Sequence, residues 1–242
     1  MEFTIDQWRE LKDHANDRGL IFISSPFSIE AADLLEEIGI EIWKIASGEV
    51  SNLPLFKRIV KSGLPVLLST GMSNYEEIDK AVSLLRKGTT DITLMQCTSL
   101  YPTPFNKVGL NVLDEYRNRY GCKVGLSDHT GSIYPGLAAA AFGANAIEVH
   151  ITMSKMSFGP DVPVSLTLEE LIQLTEGVKA IRAILENPVD KNYIGDDIAQ
   201  MKNLFNKSIV ANKNLKAGSI LREDDLSYKK PGTGLSPDEA EN

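Results

Sequence analysis

Two imidazoles and the polar groups around them are the part of this sequence best equipped for chemistry. The apolar run Lys123-Val124-Gly125-Leu126 ends in Ser127-Asp128-His129-Thr130, so a hydroxyl, a carboxylate and an imidazole arrive together before any helix can begin. The next apolar run, Ala146-Ile147-Glu148-Val149, ends on His150. The two histidines stand 21 residues apart, about one βα unit, in a chain with only 3 histidines. In a parallel barrel that spacing puts both side chains on neighbouring strand ends, facing one pocket. A single histidine there is ordinarily a satisfied polar residue; two on successive strands suit a divalent metal.

A cation and several hydroxyls accompany them. Lys44 lies between Trp43 and Ile45 in an apolar run, which argues against an exposed strand edge and for a point charge aimed at an anion. Ser25, Ser47, Ser69, Ser99 and Ser127 each close an expected strand and offer hydrogen bonds without further charge. Any one of these serines alone reads equally well as a helix N-cap. Asp128 and Glu148 flank the histidines as candidate orienting groups, with Glu148 expected to point away from the pocket.

The elements that must position these groups alternate from residue 1 to about 185. Helices are expected over Asp6–Arg18, Ser28–Ile38, Leu53–Ser62, from Ser73 to Lys87, over Asn111–Tyr120 and Tyr134–Phe142, and from Thr167 to about Leu185. Gly19, Gly39 and Gly63 stop the first three, and Ser73/Glu76 and Thr167/Glu170 read as capping boxes. Six β-rich runs begin near residues 20, 41, 65, 92, 123 and 146. Strands followed by helices mean a parallel sheet with crossover helices, and continuous apolar runs mean a sheet buried on both faces. No Gly-x-Gly-x-x-Gly follows any strand, so a dinucleotide-binding sheet is disfavoured. Polar residues at every strand's C-terminal end favour a (β/α)8 TIM-type barrel, whose sites are built there. Six units instead of eight imply a barrel lacking its first two βα units.

Composition bounds the partners. Of 242 residues, 43% are hydrophobic and 24% charged, an ordinary globular mixture. No apolar run approaches the roughly 18 residues that span a bilayer, and Met1-Glu2-Phe3-Thr4-Ile5-Asp6 is acidic where a signal peptide is basic. Neither a membrane nor, at net charge −8, nucleic acid is the expected partner. Two cysteines, Cys97 and Cys122, fit a reducing cytoplasm.

Three segments are expected: a partial barrel over 1–186, a linker over 187–206, and the start of a small β-rich domain over 207–242. Ser208–Ala211 reads as a strand, Leu215–Ile220 as a turn and strand, and Arg222–Leu226 as one helical turn.

Six motifs occur in order: Lys44-Ile45-Ala46-Ser47-Gly48-Glu49, Leu68-Ser69-Thr70-Gly71-Met72, Cys97-Thr98-Ser99-Leu100-Tyr101-Pro102-Thr103-Pro104, Gly125-Leu126-Ser127-Asp128-His129-Thr130, Glu148-Val149-His150 and Phe158-Gly159-Pro160-Asp161. Together they resemble the sialic acid synthase family, including legionaminate and pseudaminate synthases. The stretch from Ser208 to Gly234 resembles that family's antifreeze-like (SAF) domain. The resemblance implies a metal-dependent condensation of phosphoenolpyruvate with N-acetylmannosamine, releasing phosphate. It implies Ser25, Lys44, Ser47, Ser69, Ser99, Tyr101 and Ser127 around phosphoenolpyruvate, with Ser25 standing where threonine is frequent and Ser99 where asparagine is. Glu49, Tyr101 and Asp161 would meet the sugar, Asp161 also near metal-bound water. His129 and His150 would hold Mn²⁺, with Mg²⁺ able to substitute. It further implies a domain-swapped homodimer in which the partner's small domain lays a cation over the sugar; Lys230 occupies that position, where the family has arginine. The family's first two βα units, which carry a glutamate, a lysine and a glutamine of the site, have no counterpart here.

Two functional classes follow. One is an enzyme condensing phosphoenolpyruvate with an acylated amino sugar, either N-acetylmannosamine or a diacetamido-dideoxyhexose. The other is a shortened chain that binds a ligand or partner without turnover.

Overall fold

The computed structural model describes residues 3–193 and 195–241; Met1, Glu2, Ile194 and Asn242, which the expected segments include, lie outside them. Contacts divide the chain into Met1–Asn187 and Pro188–Asn242. The first unit runs α1 (Ile5–Asp17), α2 (Ile29–Glu37), β1 (Trp43–Ile45), α3 (Leu53–Ile59), β2 (Val66–Ser69), α4 (Tyr75–Leu85), β3 (Ile92–Cys97), α5 (Asn111–Tyr120), β4 (Lys123–Asp128), α6 (Tyr134–Ala141), β5 (Ala146–Ile151), β6 (Ser165–Leu166) and α7 (Leu168–Glu186). The six strands are parallel and adjacent in chain order.

Alternation along the strands sorts their side chains. Trp43, Ile45, Val66, Leu68, Ile92, Leu94, Val124 and Leu126 face the helices and form the core with Leu35, Phe56, Ile78, Leu85, Leu113 and Ala139. The ladder register puts Lys44, Leu67, Ser69, Thr93, Met95, Cys97, Gly125, Ser127, Ala146, Glu148 and His150 on the opposite face. Gly125 is required there: a Cβ would sit 2.4 Å from Met95 Sδ and 2.6 Å from the Ala146 carbonyl.

The sheet is strongly curled. Strands lie about 4.8 Å apart, so β1 and β5 would be about 19 Å apart in a flat sheet, beyond the combined reach of a lysine and a glutamate. Yet Lys44 Nζ lies 3.3 Å from Glu148 Oε2. This is a parallel half-barrel of the TIM type, with residues Lys44 to His150 lining its concave face.

Four expectations are corrected. The run Leu20–Ser24 is not a strand: among the described residues β1 pairs only with β2, and Leu20 and Ile21 are exposed. Strand propensity without a partner's ladder leaves an extended edge segment. The sixth strand is instead Ser165–Leu166, two residues too short to show a period. The N-cap of α4 is Asn74, boxed with Glu77, one residue later than expected.

The fourth correction lies in the second unit. Within the expected linker, Asp196–Phe205 forms a helix, α8. It precedes an antiparallel pair, β7 (Ser208–Ala211) and β8 (Leu226–Lys229). Leu215–Ile220 supplies a turn at Gly218, with φ of +83°, but no strand.

Candidate active site

Lys44 is 9% exposed on β1, its ammonium donating to Ser69 Oγ at 2.8 Å on β2. Its other neighbours are the Ile45 carbonyl at 3.5 Å and Glu148 on β5, whose Oε2 is buried without a hydrogen bond and meets Lys44 only as an ion-pair contact. Glu148 therefore points into the concave face rather than away from it. Strand β5 is regular, and a period of two puts Glu148 on the side of His150. Ser127, next to Glu148 in the register, is buried, and among the described residues its hydroxyl has no protein partner.

Beyond the strand ends three loops meet. Ser47 Oγ accepts from the Gly71 N–H at 3.0 Å. A Cβ on Gly71 would lie 2.5 Å from Ser99 Oγ and 2.8 Å from Cys97 Sγ, so only glycine lets the β2 loop pass this close to the β3 loop. Glu49 lies on the turn following β1, where Asn52 Nδ2 donates to it at 2.6 Å.

The imidazoles of His129 and His150 have ring centroids 5.2 Å apart. His129 is buried, with Nδ1 3.2 Å from the Thr98 carbonyl. A carbonyl only accepts, so Nδ1 carries a proton, and in the neutral ring Nε2 then carries the lone pair. That lone pair accepts from the Tyr101 hydroxyl at 2.8 Å. Burial first, then Cys97, Asp161 and Glu148, holds the Tyr101 phenol above its ordinary value, so it remains a donor. His150 Nδ1 lies 3.9 Å from Asp161 Oδ2. Among the described residues Asp128 makes no hydrogen bond to the His129 ring. Its carboxylate accepts from the Thr130 hydroxyl at 2.8 Å and backbone N–H at 3.3 Å, and burial pushes its pKa up.

Lys44, Ser69, Ser127, His129, His150, Tyr101 and Asp161 thus share one face and its rim, with Ser47, Glu49 and Ser99 on the adjoining loops. Ser25 is not brought among them: it lines a groove with Trp8, Phe27 and Leu34, because residues 20–24 never join the ladder. Lys230 belongs to the second unit, where its ammonium lies 4.7 Å from the Phe205 ring centroid. Sequence reasoning named Glu148 but had it pointing away from the pocket, though period-two alternation from His150 puts it on the same face. It missed Thr98, whose backbone carbonyl leaves no signal. Among the described residues no three His, Cys, Asp or Glu side chains cluster as a metal cage. The two imidazoles form a donor pair that a divalent ion can use if other oxygens complete its shell.

A parallel half-barrel that gathers a lysine, hydroxyls and paired imidazoles on its concave face and rim has the architecture of the barrel enzymes, which build their sites at the C-terminal strand ends. The solved N-acetylneuraminic acid (sialic acid) synthetase from Leptospira borgpetersenii superposes with a TM-score of 0.75 at 32% identity, covering 83% of this chain and 70% of that one. The N,N'-diacetyllegionaminic acid synthase of Campylobacter jejuni is 39% identical over 239 residues, 98% of this chain and 71% of the relative. The human N-acetylneuraminate-9-phosphate synthase is 32% identical over 230 residues, 95% of this chain and 64% of the relative. The NeuB family model matches residues 1–190, and the chain belongs to the NeuB family, whose synthases condense phosphoenolpyruvate with sugars. Among the described residues no helix is long and apolar enough to cross a membrane.

Proposed function

We propose that this protein condenses phosphoenolpyruvate with an N-acylated amino sugar, forming a nonulosonate and phosphate. The observation that carries this reading is the convergence of Lys44, Ser69, Ser127 and His150 on one concave face, with the His129 ring 5.2 Å from that of His150 at its rim. Lys44, Ser69 and Ser127 take the phosphate and carboxylate of phosphoenolpyruvate, with Ser47 and Ser99 on the flanking loops and Ser25 reaching the site only by a rearrangement of its edge segment. Glu49, Tyr101 and Asp161 take the sugar. C3 of the enol attacks the aldehyde carbon of the open-chain sugar, water adds at C2, and phosphate leaves from the tetrahedral adduct.

His129 and His150 are the residues that would hold Mn²⁺ or Mg²⁺. Bound there, the ion would polarise the sugar aldehyde. Lys230, presented by the second unit of a partner copy in a domain-swapped dimer, would lie over the N-acyl group; lysine keeps the charge but lacks arginine's planar fork. Free Cys97 and Cys122 suit the cytoplasm in which phosphoenolpyruvate is made.

The sugar has two readings. N-acetylmannosamine is the sugar that the resemblance to sialic acid synthases implies, and legionaminate and pseudaminate synthases share the same motifs. A diacetamido-dideoxyhexose is favoured by the 39% identity to the diacetyllegionaminic acid synthase against 32% to the human enzyme. The experiment offers each sugar to the full protein with phosphoenolpyruvate and Mn²⁺, following phosphate release and product mass. Turnover of one sugar identifies the substrate; no phosphate release with either sinks the proposal.

A further inference from the structure

The segment between β5 and β6, residues 152–164, carries Asp161 yet contains only one helical turn, Val162–Val164. Met153, Met156 and Phe158 on it are exposed, so burial of those side chains does not hold its shape. Lys155 connects it to its surroundings. Its Nζ donates to the Ser165 carbonyl at 2.6 Å and the Gly131 carbonyl at 3.1 Å, and lies 3.1 Å from Glu170 Oε2. An ammonium has three N–H bonds, and here three acceptors come from three places: β6, the loop two residues past His129, and the first turn of α7. Each anchor is itself secured. Glu170 closes the capping box of α7 with Thr167. Gly131, at φ +71°, lies so near the segment that a Cβ would come within 2.5 Å of the Pro163 carbonyl. Ser165 Oγ donates to the Asp161 carbonyl at 2.7 Å.

We infer that Lys155 is a positioning residue: by joining the β4 loop, β6 and α7 it fixes the segment that holds the Asp161 carboxylate beside His150. Arginine cannot replace it, because a planar fork does not reach three acceptors arranged around one nitrogen. The inference rests on the proposed sugar-binding role of Asp161 for its consequence in catalysis, but not for its structural part.

The test is hydrogen exchange of the full protein followed by kinetics. In Lys155→Met, amides over residues 156–165 exchange at least about tenfold faster while those of β3 do not change. Glu170→Gln, which removes the charge of one acceptor and keeps an amide oxygen for the capping box, gives the same local pattern at smaller amplitude and guards against a misfolded first variant. Unchanged exchange over 156–165 in both overturns the inference. Kinetically, Lys155→Met raises the sugar KM about tenfold with the phosphoenolpyruvate KM unchanged, and adds nothing on an Asp161→Ala background. Full additivity there overturns action through Asp161. If Asp161→Ala itself leaves the sugar KM unchanged, the proposed role of Asp161 fails, and exchange alone decides whether Lys155 fixes the segment.

Discussion

Lys44 and Glu148 meet at 3.3 Å although four strand spacings separate β1 from β5. The pair spans the concave face and places a cation and a carboxylate where the proposed anion would arrive. Its Glu148 oxygen is buried, and among the described residues the Lys44 ammonium is the charge it faces.

Lys44→Met weakens phosphoenolpyruvate binding by about two orders of magnitude, roughly 2–3 kcal/mol for a lost charge-assisted contact. Sugar affinity without phosphoenolpyruvate barely changes. Calorimetric titration with each ligand measures both, and unchanged phosphoenolpyruvate affinity removes Lys44 from the pocket. Glu148→Gln has the opposite effect, because the incoming anion no longer meets a carboxylate beside Lys44.

His129→Ala and His150→Ala each abolish Mn²⁺ binding and turnover. Tyr101→Phe, by contrast, tightens Mn²⁺ binding in the absence of substrates. It removes the hydroxyl that occupies the Nε2 lone pair of His129, a gain of about 1 kcal/mol, or roughly fivefold. Manganese titration followed by electron paramagnetic resonance reads all three; retained binding in both histidine variants eliminates the imidazole pair as the site.

Gly71→Ala costs about 1–3 kcal/mol of stability through overpacking against Ser99 and Cys97. Adding Ser99→Ala recovers part of that loss, since it removes the atom met at 2.5 Å. Urea denaturation of the two variants tests the pair; full tolerance of the single substitution shows that the β2 and β3 loops are looser than this geometry requires.

Acid stability depends on a clasp away from the site. Arg119, then Tyr120, holds the Asp79 carboxyl down at about 2. Because the folded value lies below the ordinary one near 4, this contribution is present above about pH 4 and is lost as pH falls towards about 2. Asp79→Asn flattens the stability profile across that window and leaves its shape at pH 6–8 unaltered. Denaturant midpoints at successive pH values measure the slope, and an unchanged slope excludes Asp79.

Particular residues show what was legible in the sequence. The β3 and β4 runs, the spacing of His129 and His150, and the glycines closing helices are local properties of period and backbone freedom, so the chain alone determined them. Lys44 was legible for the same reason, as a cation inside an apolar run. The direction of Glu148, the exclusion of Ser25, the two-residue β6 and the three acceptors of Lys155 depend on groups from 10 to 104 positions away. Only the curl of the sheet decided which strand ends would meet, because strand propensity says nothing about the partner that completes a ladder or about the charge waiting across the barrel.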